Sequence, residues 1–178
     1  MSTGKPGASA LGTAGAVWGI VGLSMIIGRG FFSVWPYTME LIGTSFTWAR
    51  WTALGASLIF MGYAEGYKGF QLKFAPRVAA RALYLKSNAT PLRVVFAPFF
   101  CMGFFHATRK RKIVAYSVTT MVVLLIVGVR QLPQPWRGII DAGVLFGLGW
   151  GLASIWIFCA KAFFGKAAYT VSPETPDA

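Results

Sequence analysis

The sequence predicts an all-α integral membrane protein with four transmembrane helices and both chain ends in the cytoplasm. Three observations lead to this prediction: long apolar runs, a scarcity of charge, and basic residues gathered between particular runs. Of the 178 residues, 56% are hydrophobic and 12% are charged, and the mean hydropathy is +0.59. Because a soluble domain carries about 25% charged residues, this chain has too few polar side chains to cover one.

Four apolar runs long enough to cross a bilayer define the predicted spans. They are residues 11–28, 51–67, 113–129 and 139–164. At 1.5 Å per residue the first run covers roughly 27 Å, close to the ~30 Å thickness of the hydrocarbon core. The chain therefore divides into a short polar N-terminus, a single transmembrane domain and a disordered polar tail, at residues 1–10, 11–164 and 165–178.

A further apolar stretch, residues 92–107, is too short and too interrupted for a clean span. It begins beside Arg93 and carries Pro98 near its middle. Basic residues favour the cytoplasmic side of short loops. If the stretch does not cross the membrane, 13 basic residues lie on the cytoplasmic side and 4 on the outside. If it does cross, 9 basic residues lie on the cytoplasmic side and 8 on the outside, so the bias nearly disappears. We therefore expect it to be re-entrant or interfacial within a basic cytoplasmic loop at 68–112, with five transmembrane helices as the alternative.

Glycines recur every fourth residue on three of the predicted spans. They are Gly15 and Gly19, Gly62 and Gly66, and Gly143, Gly147 and Gly151. Small residues at this spacing let helix backbones approach closely in a membrane. We expect contacts between helices of the same chain, with association between two copies as the alternative.

The basic loop is predicted to face anionic lipid headgroups or a partner protein. The formal net charge is +12, which in a soluble protein would indicate nucleic acid. Here the basic residues flank apolar spans, where they set topology and contact lipid, so we expect no nucleic acid. Pro76, followed by Arg77 and Arg81 at helical spacing, predicts a short helix lying on the membrane surface, with an ordinary connector as the alternative. The predicted basic face consists of Lys68, Lys73, Arg77, Arg81, Lys110, Arg111 and Lys112.

A candidate functional cluster is predicted at the cytoplasmic face. It consists of Glu65, Cys101, His106 and Arg109. An ionisable group such as Glu65 inside a membrane is a functional-site hypothesis by default, and a structural ion pair with Arg93 or Arg109 is the alternative. His106, the only histidine, could exchange a proton near neutral pH.

The sequence contains no nucleotide-binding, nucleophile or metal-binding motif. Cys101 and Cys159 lack ligand spacing, and a single histidine excludes bis-histidine haem and a histidine-rich zinc site, so no metal or cofactor is predicted. The preferred function is a non-enzymatic protein that binds lipid or scaffolds a partner. The alternatives are a small transporter or channel using residues 92–107, and a membrane enzyme acting on a lipid headgroup or phosphate. The expected location is the bacterial inner (plasma) membrane, with other membrane proteins or a second copy as further partners.

Overall fold

The computed structural model describes residues 10–165 and 168–176, and every regular element in this part of the chain is helical. The all-α prediction is therefore confirmed, while most of the predicted polar N-terminus lies outside the described residues. In chain order the elements are α1 (Ala10–Met39), a 3-10 helix (Glu40–Gly43), α2 (Trp48–Met61), a π-helical segment (Gly62–Phe74), α3 (Ala75–Ser87), α4 (Pro91–Val95), α5 (Ala97–Met102), α6 (Arg109–Arg130) and α7 (Trp136–Phe164).

Helix α1 is longer than the predicted span at 11–28. It runs through Pro36 and ends at Met39. Phe31 stacks on Trp35 one turn later, with ring centroids 5.8 Å apart, a side-chain pairing that supports a helix. The aromatic-rich stretch that follows residue 28 therefore extends the first helix beyond the predicted span.

Helix α2, the π-helical segment and α3 follow one another without a break, from Trp48 to Ser87. The predicted span at 51–67 covers only part of this stretch, and residues 68–75 are helical where the sequence predicted loop. Alanine is the strongest helix former, and α3 contains four alanines. Helix α3 includes the short helix that was predicted from Pro76, but its predicted position on the membrane surface is wrong, because Val78, Ala79, Ala82 and Leu85 are completely buried in the main hydrophobic core.

The long helices connect two ends of the bundle. At one end, which we call the basic end, Gly12 of α1 lies against Lys86 of α3. At the other, the far end, Leu41 and Ile139 share a small core. Helix α1 is antiparallel to α7, since Gly30 lies beside Leu148 whereas the later Tyr37 contacts the earlier Gly138. Helix α6 begins at the basic end and is joined to α7 at the far end by residues 131–135.

Residues 92–107 begin and end at the basic end. Arg93 Nη1 donates to the carbonyl oxygen of Asn88 at 3.1 Å, and the backbone N–H of Thr108 donates to the carbonyl oxygen of Glu174 at 3.0 Å. Between these points Pro98 packs against Gly22 of α1. The stretch thus forms two short helices, α4 and α5, that turn back before the far end.

Three helical stretches of the described chain are long and apolar enough to cross a membrane: Ala10–Gly43, Arg109–Arg130 and Trp136–Phe164. The predicted second span is not among them, because α2 has only 14 residues and its continuation carries charged side chains. Helix α6 differs from the other two in packing. Of the most apolar stretch of α6, only 6% is buried inside the protein, against 39% in each of the other two helices. The apolar side chains of α6 therefore point away from the protein.

The C-terminal tail was predicted to be disordered, but its described part, residues 168–176, is docked on the bundle without regular secondary structure. The Tyr169 hydroxyl donates to the carbonyl oxygen of Pro76 at 2.9 Å, and Thr175 is only 1% exposed. The polar composition of the tail suggested disorder, but its contacts are made with residues that are distant in the chain.

Candidate functional site

Arg81 lies at the centre of the basic end and is 1% exposed. Among the described residues, its guanidinium donates hydrogen bonds to four main-chain carbonyl oxygens, those of Phe100 (2.6 Å), Pro173 (2.8 Å), Phe105 (3.0 Å) and His106 (3.0 Å). It also lies 4.3 Å from the centroid of the Phe100 ring. Because an arginine guanidinium is not deprotonated in proteins, the side chain stays charged at neutral pH. Arg81 thus joins α3 to the turn after α5 and to the tail.

Glu174 supplies the carboxylate of this end. Its Oε1 lies 3.4 Å from Arg77 Nε and its Oε2 lies 3.8 Å from Arg111 Nε. Arg111 is 7% exposed, and its Nε has no hydrogen-bond partner within the described residues. The arginine side chain packs across Gly103, whose φ of +89° is the left-handed conformation that glycine adopts readily. The tail therefore brings a negative charge between arginines of two different helices.

His106 belongs to the same end and is in close contact with Arg93, through Nε2 of the histidine and Nη2 of the arginine. Its φ of +48° is in the left-handed region, which is uncommon for a residue with a side chain. The carbonyl oxygen of His106 accepts a hydrogen bond from Arg81. The backbone of His106 thus takes part in the cage of carbonyls around Arg81.

The structure brings together only part of the predicted functional cluster. Cys101 is completely buried, with its sulfur packed against Gly19 of α1, and it adjoins Phe100 of the Arg81 cage. Arg109 is exposed at the first turn of α6. Cys101, His106 and Arg109 all lie near the basic end, and Glu65 lies elsewhere.

Glu65 packs on the glycine face of α7. A Cβ atom placed on Gly147 would be 3.1 Å from Glu65 Oε2. Gly147 is eleven residues beyond Trp136, so this contact is roughly 16 Å along a helix about 43 Å long. Glu65 forms no ion pair with another described residue, so the predicted pairing with Arg93 or Arg109 does not occur.

The predicted basic face is divided between exposed and buried side chains. Arg81 and Arg111 are buried, which corrects their assignment to a lipid-facing or partner-facing surface. Their spacing on a helix could not indicate which side the core covers. Arg77 is partly exposed, and the remaining members of the predicted face are exposed: Lys68, Lys73, Lys110 and Lys112.

The glycines that recur every fourth residue all lie where two helices of the chain are in close contact. Phe146 and Trp150 of α7 pack on Gly62 and Gly66 of the π-helical segment, and in return Glu65 and Phe70 pack on Gly147 and Gly151. Ser57 and Met61 of α2 pack on Gly143. Gly15 and Gly19 of α1 contact Val94 of α4 and the α5 residues Ala97 and Cys101. The α1 glycines therefore accommodate the short helices, which the spacing alone could not indicate.

An aromatic groove lies between the short helices and α6, beside the basic end. Its volume is about 550 Å³, and it is lined by Leu92, Phe96, Phe99, Phe104, Phe105 and Tyr116. Phe104 and Tyr116 meet edge to face across it, with centroids 5.3 Å apart. The groove was not predicted from the sequence, where its one signal is the five phenylalanines between residues 96 and 105.

At the far end, Arg137 pairs with Asp141, with Arg137 Nε 3.6 Å from Asp141 Oδ2. The guanidinium of Arg137 also lies 3.3 Å from the ring centroid of Tyr37. The two residues lie at i, i+4 spacing and form a local ion pair on one face of α7. Within the described residues, no three histidine, cysteine, aspartate or glutamate side chains converge as a metal site would require.

Comparison with known proteins finds no similarity to support a functional assignment: no family model, no curated protein and no solved structure matches this chain.

Proposed function

We propose that this chain is a four-pass membrane protein that binds anionic lipid through a cytoplasmic basic end and has no catalytic role. The observation that carries the proposal is the one-sided distribution of cationic side chains. At the basic end Arg109, Lys110 and Lys112 are exposed on the first turn of α6. The far end carries fewer basic side chains, of which Arg137 is paired with Asp141.

The packing of α6 supports a membrane location. Its exposed side chains include Val118, Met121, Leu124 and Val127, which are 50–66% exposed. In water, such a helix would leave a large apolar surface uncovered, which soluble monomers rarely do. Lipid tails would cover this surface at no such cost. Helix α6 would cross once, α1 and α7 would cross in the same way, and the stretch beginning with α2 would provide the fourth crossing.

The charge distribution supports the proposed orientation. Basic residues are retained on the cytoplasmic side of short loops, and a Lys or Arg near an anionic leaflet contributes about 1 kcal/mol of attraction. In this orientation residues 92–107 dip into the membrane from the cytoplasm and return. Their carbonyl groups would be covered by Arg81, as polar backbone at membrane depth requires.

Topology is tested by inserting short tags at residues 45, 88, 111 and 133 of the full chain and measuring their accessibility in sealed vesicles. The proposal expects 88 and 111 on one side and 45 and 133 on the other. If 88 and 111 are accessible from opposite sides, residues 92–107 cross and the four-pass arrangement is wrong.

Lipid binding is tested by native mass spectrometry of the full chain with phosphatidylglycerol or phosphatidylcholine. The double variant Arg109→Gln/Lys110→Gln is expected to retain about 25-fold less phosphatidylglycerol, because each of the two charges removed contributes about fivefold to binding. The matched control is Arg50→Gln/Arg130→Gln at the far end, which removes the same charge. Equal retention by both doubles, or equal retention of the two lipids by the unmodified chain, would contradict the proposal.

A second candidate function, proton or cation transport, is favoured by the position of Glu65. Its carboxylate lies against Gly147 within the length of α7 and has no ion pair among the described residues. Such embedded acids often mark ion or proton paths. The predicted path along residues 92–107 gains less support, because Phe100 and Cys101 are completely buried.

Transport is tested in proteoliposomes with a pH-sensitive dye inside and an imposed proton gradient. Flux that is present in the unmodified protein and lost in Glu65→Gln would favour this candidate. Glu40→Gln is the control, because Glu40 is exposed and accepts a hydrogen bond from Gln134 at 2.7 Å. No flux above that of empty liposomes would exclude proton transport.

A further inference from the structure

We infer that the aromatic groove beside α6 binds one acyl chain of an anionic glycerophospholipid, whose phosphate is held by Lys112 and Arg109. This inference rests on the proposed lipid-binding function and assigns it to a single site. The ligand is a membrane lipid with a negatively charged headgroup, and the site discriminates both its chain and its charge.

The apolar part of the site is the groove itself. Its volume of about 550 Å³ is within the ~300–1,000 Å³ typical of sites for small molecules. Aromatic rings form most of its lining, and they are held against each other: Phe96 meets Phe105 at 6.4 Å, and Phe99 meets Phe104 at 6.2 Å. A flexible hydrocarbon chain can follow such a wall, whereas a polar ligand would find few partners there.

The groove is open towards the bilayer because α6 packs loosely on the rest of the bundle. The helix buries Arg111 and Ala115 on one side, and Tyr116 at the edge of that side remains 56% exposed. A lipid could therefore enter sideways between α6 and the short helices. No movement of the protein core is required for entry.

The charged part of the site follows from helical geometry. Residues three or four apart share one face of a helix, so Arg109, Lys112 and Tyr116 lie on the same face of α6. Arg109 and Lys112 are both exposed. Along α6, Lys112 lies closer to the basic end than Tyr116, and Arg109 lies closer still. A chain resting on Tyr116 would thus place its headgroup phosphate beside Lys112. This arrangement of an apolar wall and a cationic mouth complements an anionic amphiphile.

Lys110 provides a matched comparison on the same helical turn. It is also exposed, but six residues separate it from Tyr116, which places it about 120° around the helix. Val95 provides the equivalent comparison for the groove. It lies on α4 with Leu92, both residues are 64% exposed, and only Leu92 lines the groove.

The experiment uses the full chain in nanodiscs that contain phosphatidylglycerol with a photoactivatable diazirine in one acyl chain. After illumination, the labelled peptides are located by mass spectrometry. We expect adducts concentrated in residues 92–105 and at Tyr116, with an excess of unlabelled phosphatidylglycerol competing better than phosphatidylcholine. Excess inorganic phosphate should leave the adducts in place, because it offers no chain.

The variants separate site binding from general attraction to the basic end. Lys112→Gln and Leu92→Ser are each expected to reduce the share of all lipid adducts that lies in the groove about fivefold. Lys110→Gln weakens attraction to the whole basic end and Val95→Ser lies outside the groove, so each should change that share less than twofold. Labelling spread evenly along residues 113–129, or equal losses in each matched pair, would overturn the inference. Because total phosphatidylglycerol retention is measured separately, the proposed function can survive that result, whereas a loss of all lipid preference would contradict both.

Discussion

Arg81 Nη1 donates a hydrogen bond to the carbonyl oxygen of Pro173 at 2.8 Å, although 92 positions separate the two residues in sequence. The same guanidinium holds the carbonyls of Phe100, Phe105 and His106. One buried side chain therefore ties the tail and the turn after α5 to helix α3. Stability of the basic end should depend on it more than on any exposed arginine.

Replacing Arg81 by lysine should destabilise the protein by roughly 3 kcal/mol or more. A lysine has three donors on one atom and cannot reproduce the planar set of donors, so buried carbonyl groups would lose their partners. The measurement is denaturant unfolding in detergent together with protease cleavage within residues 168–176. Arg77→Lys is the control, since Arg77 is 31% exposed, and it should cost less than about 1 kcal/mol. Equal losses would show that the carbonyl cage contributes little.

Replacing Glu174 by glutamine should loosen the tail in a salt-dependent way. The carboxylate pairs with Arg77 and Arg111 but is itself 34% exposed, so the loss should be at most about 1 kcal/mol. Cleavage of the tail by protease should increase at low salt. The difference from the unmodified protein should shrink near 1 M salt, where the screening length is about 3 Å. A difference that is the same at all salt concentrations would argue against an electrostatic role.

Docking of the tail should weaken at alkaline pH through Tyr169. Burial, and to a lesser degree the charge that Cys159 would carry, raise the pKa of Tyr169 from 10.0 to about 12. The neutral hydroxyl donates to the Pro76 carbonyl, which a phenolate cannot do. A raised pKa means that the contribution to stability is complete below pH 10 and is lost as pH rises towards 12. Protease sensitivity of the tail should therefore rise in that window. Tyr169→Phe should already show weaker docking at pH 8 and lose this pH-dependent step; an unchanged step would assign it to another group.

Adding one methyl group at Gly143 should disturb the packing of α2 on α7. A Cβ atom there would lie 2.3 Å from Ser57 Oγ and 2.9 Å from the Ser57 carbonyl oxygen, and overpacking of this kind costs about 1–3 kcal/mol. Gly143→Ala should lower the melting temperature in detergent. Gly55→Ala is the control on α2, because no atom lies within 4 Å of a Cβ at that position, and it should be neutral or slightly stabilising. If both variants melt together, the close contact is not maintained in solution.

The helical class and three long apolar helices could be predicted from composition and run length, because these properties are local to each segment. The predicted ends of these helices were less accurate. The first predicted span ended at residue 28, but the helix continues through Pro36 to Met39. Lys68 and Lys73 made residues 68–75 resemble a loop, although this segment is helical and continues into α3, which packs on α1 and α7. Charge alone does not end a helix whose other faces are covered.

The candidate site was predicted only in part, for a reason that Arg81 and Lys112 illustrate. Both are basic residues of one predicted loop, yet one is 1% exposed and surrounded by carbonyl groups while the other faces outward. Sequence spacing shows which residues share a helix face, but it cannot show which face a neighbouring element covers. The position of Glu65 against Gly147 and the aromatic groove depend on the same kind of information.

Composition and hydropathy along the chain were sufficient to predict the helical class, the apolar runs and the excess of basic residues between them. The docking of the tail, the burial of Arg81 and the groove beside α6 depend on how distant segments pack. The physical reason is the distance along the chain over which each property acts. Hydropathy and helix propensity act within a few turns, whereas the burial of a side chain depends on which distant segments pack together. Pro173 and Arg81 meet only after the helices between them have packed.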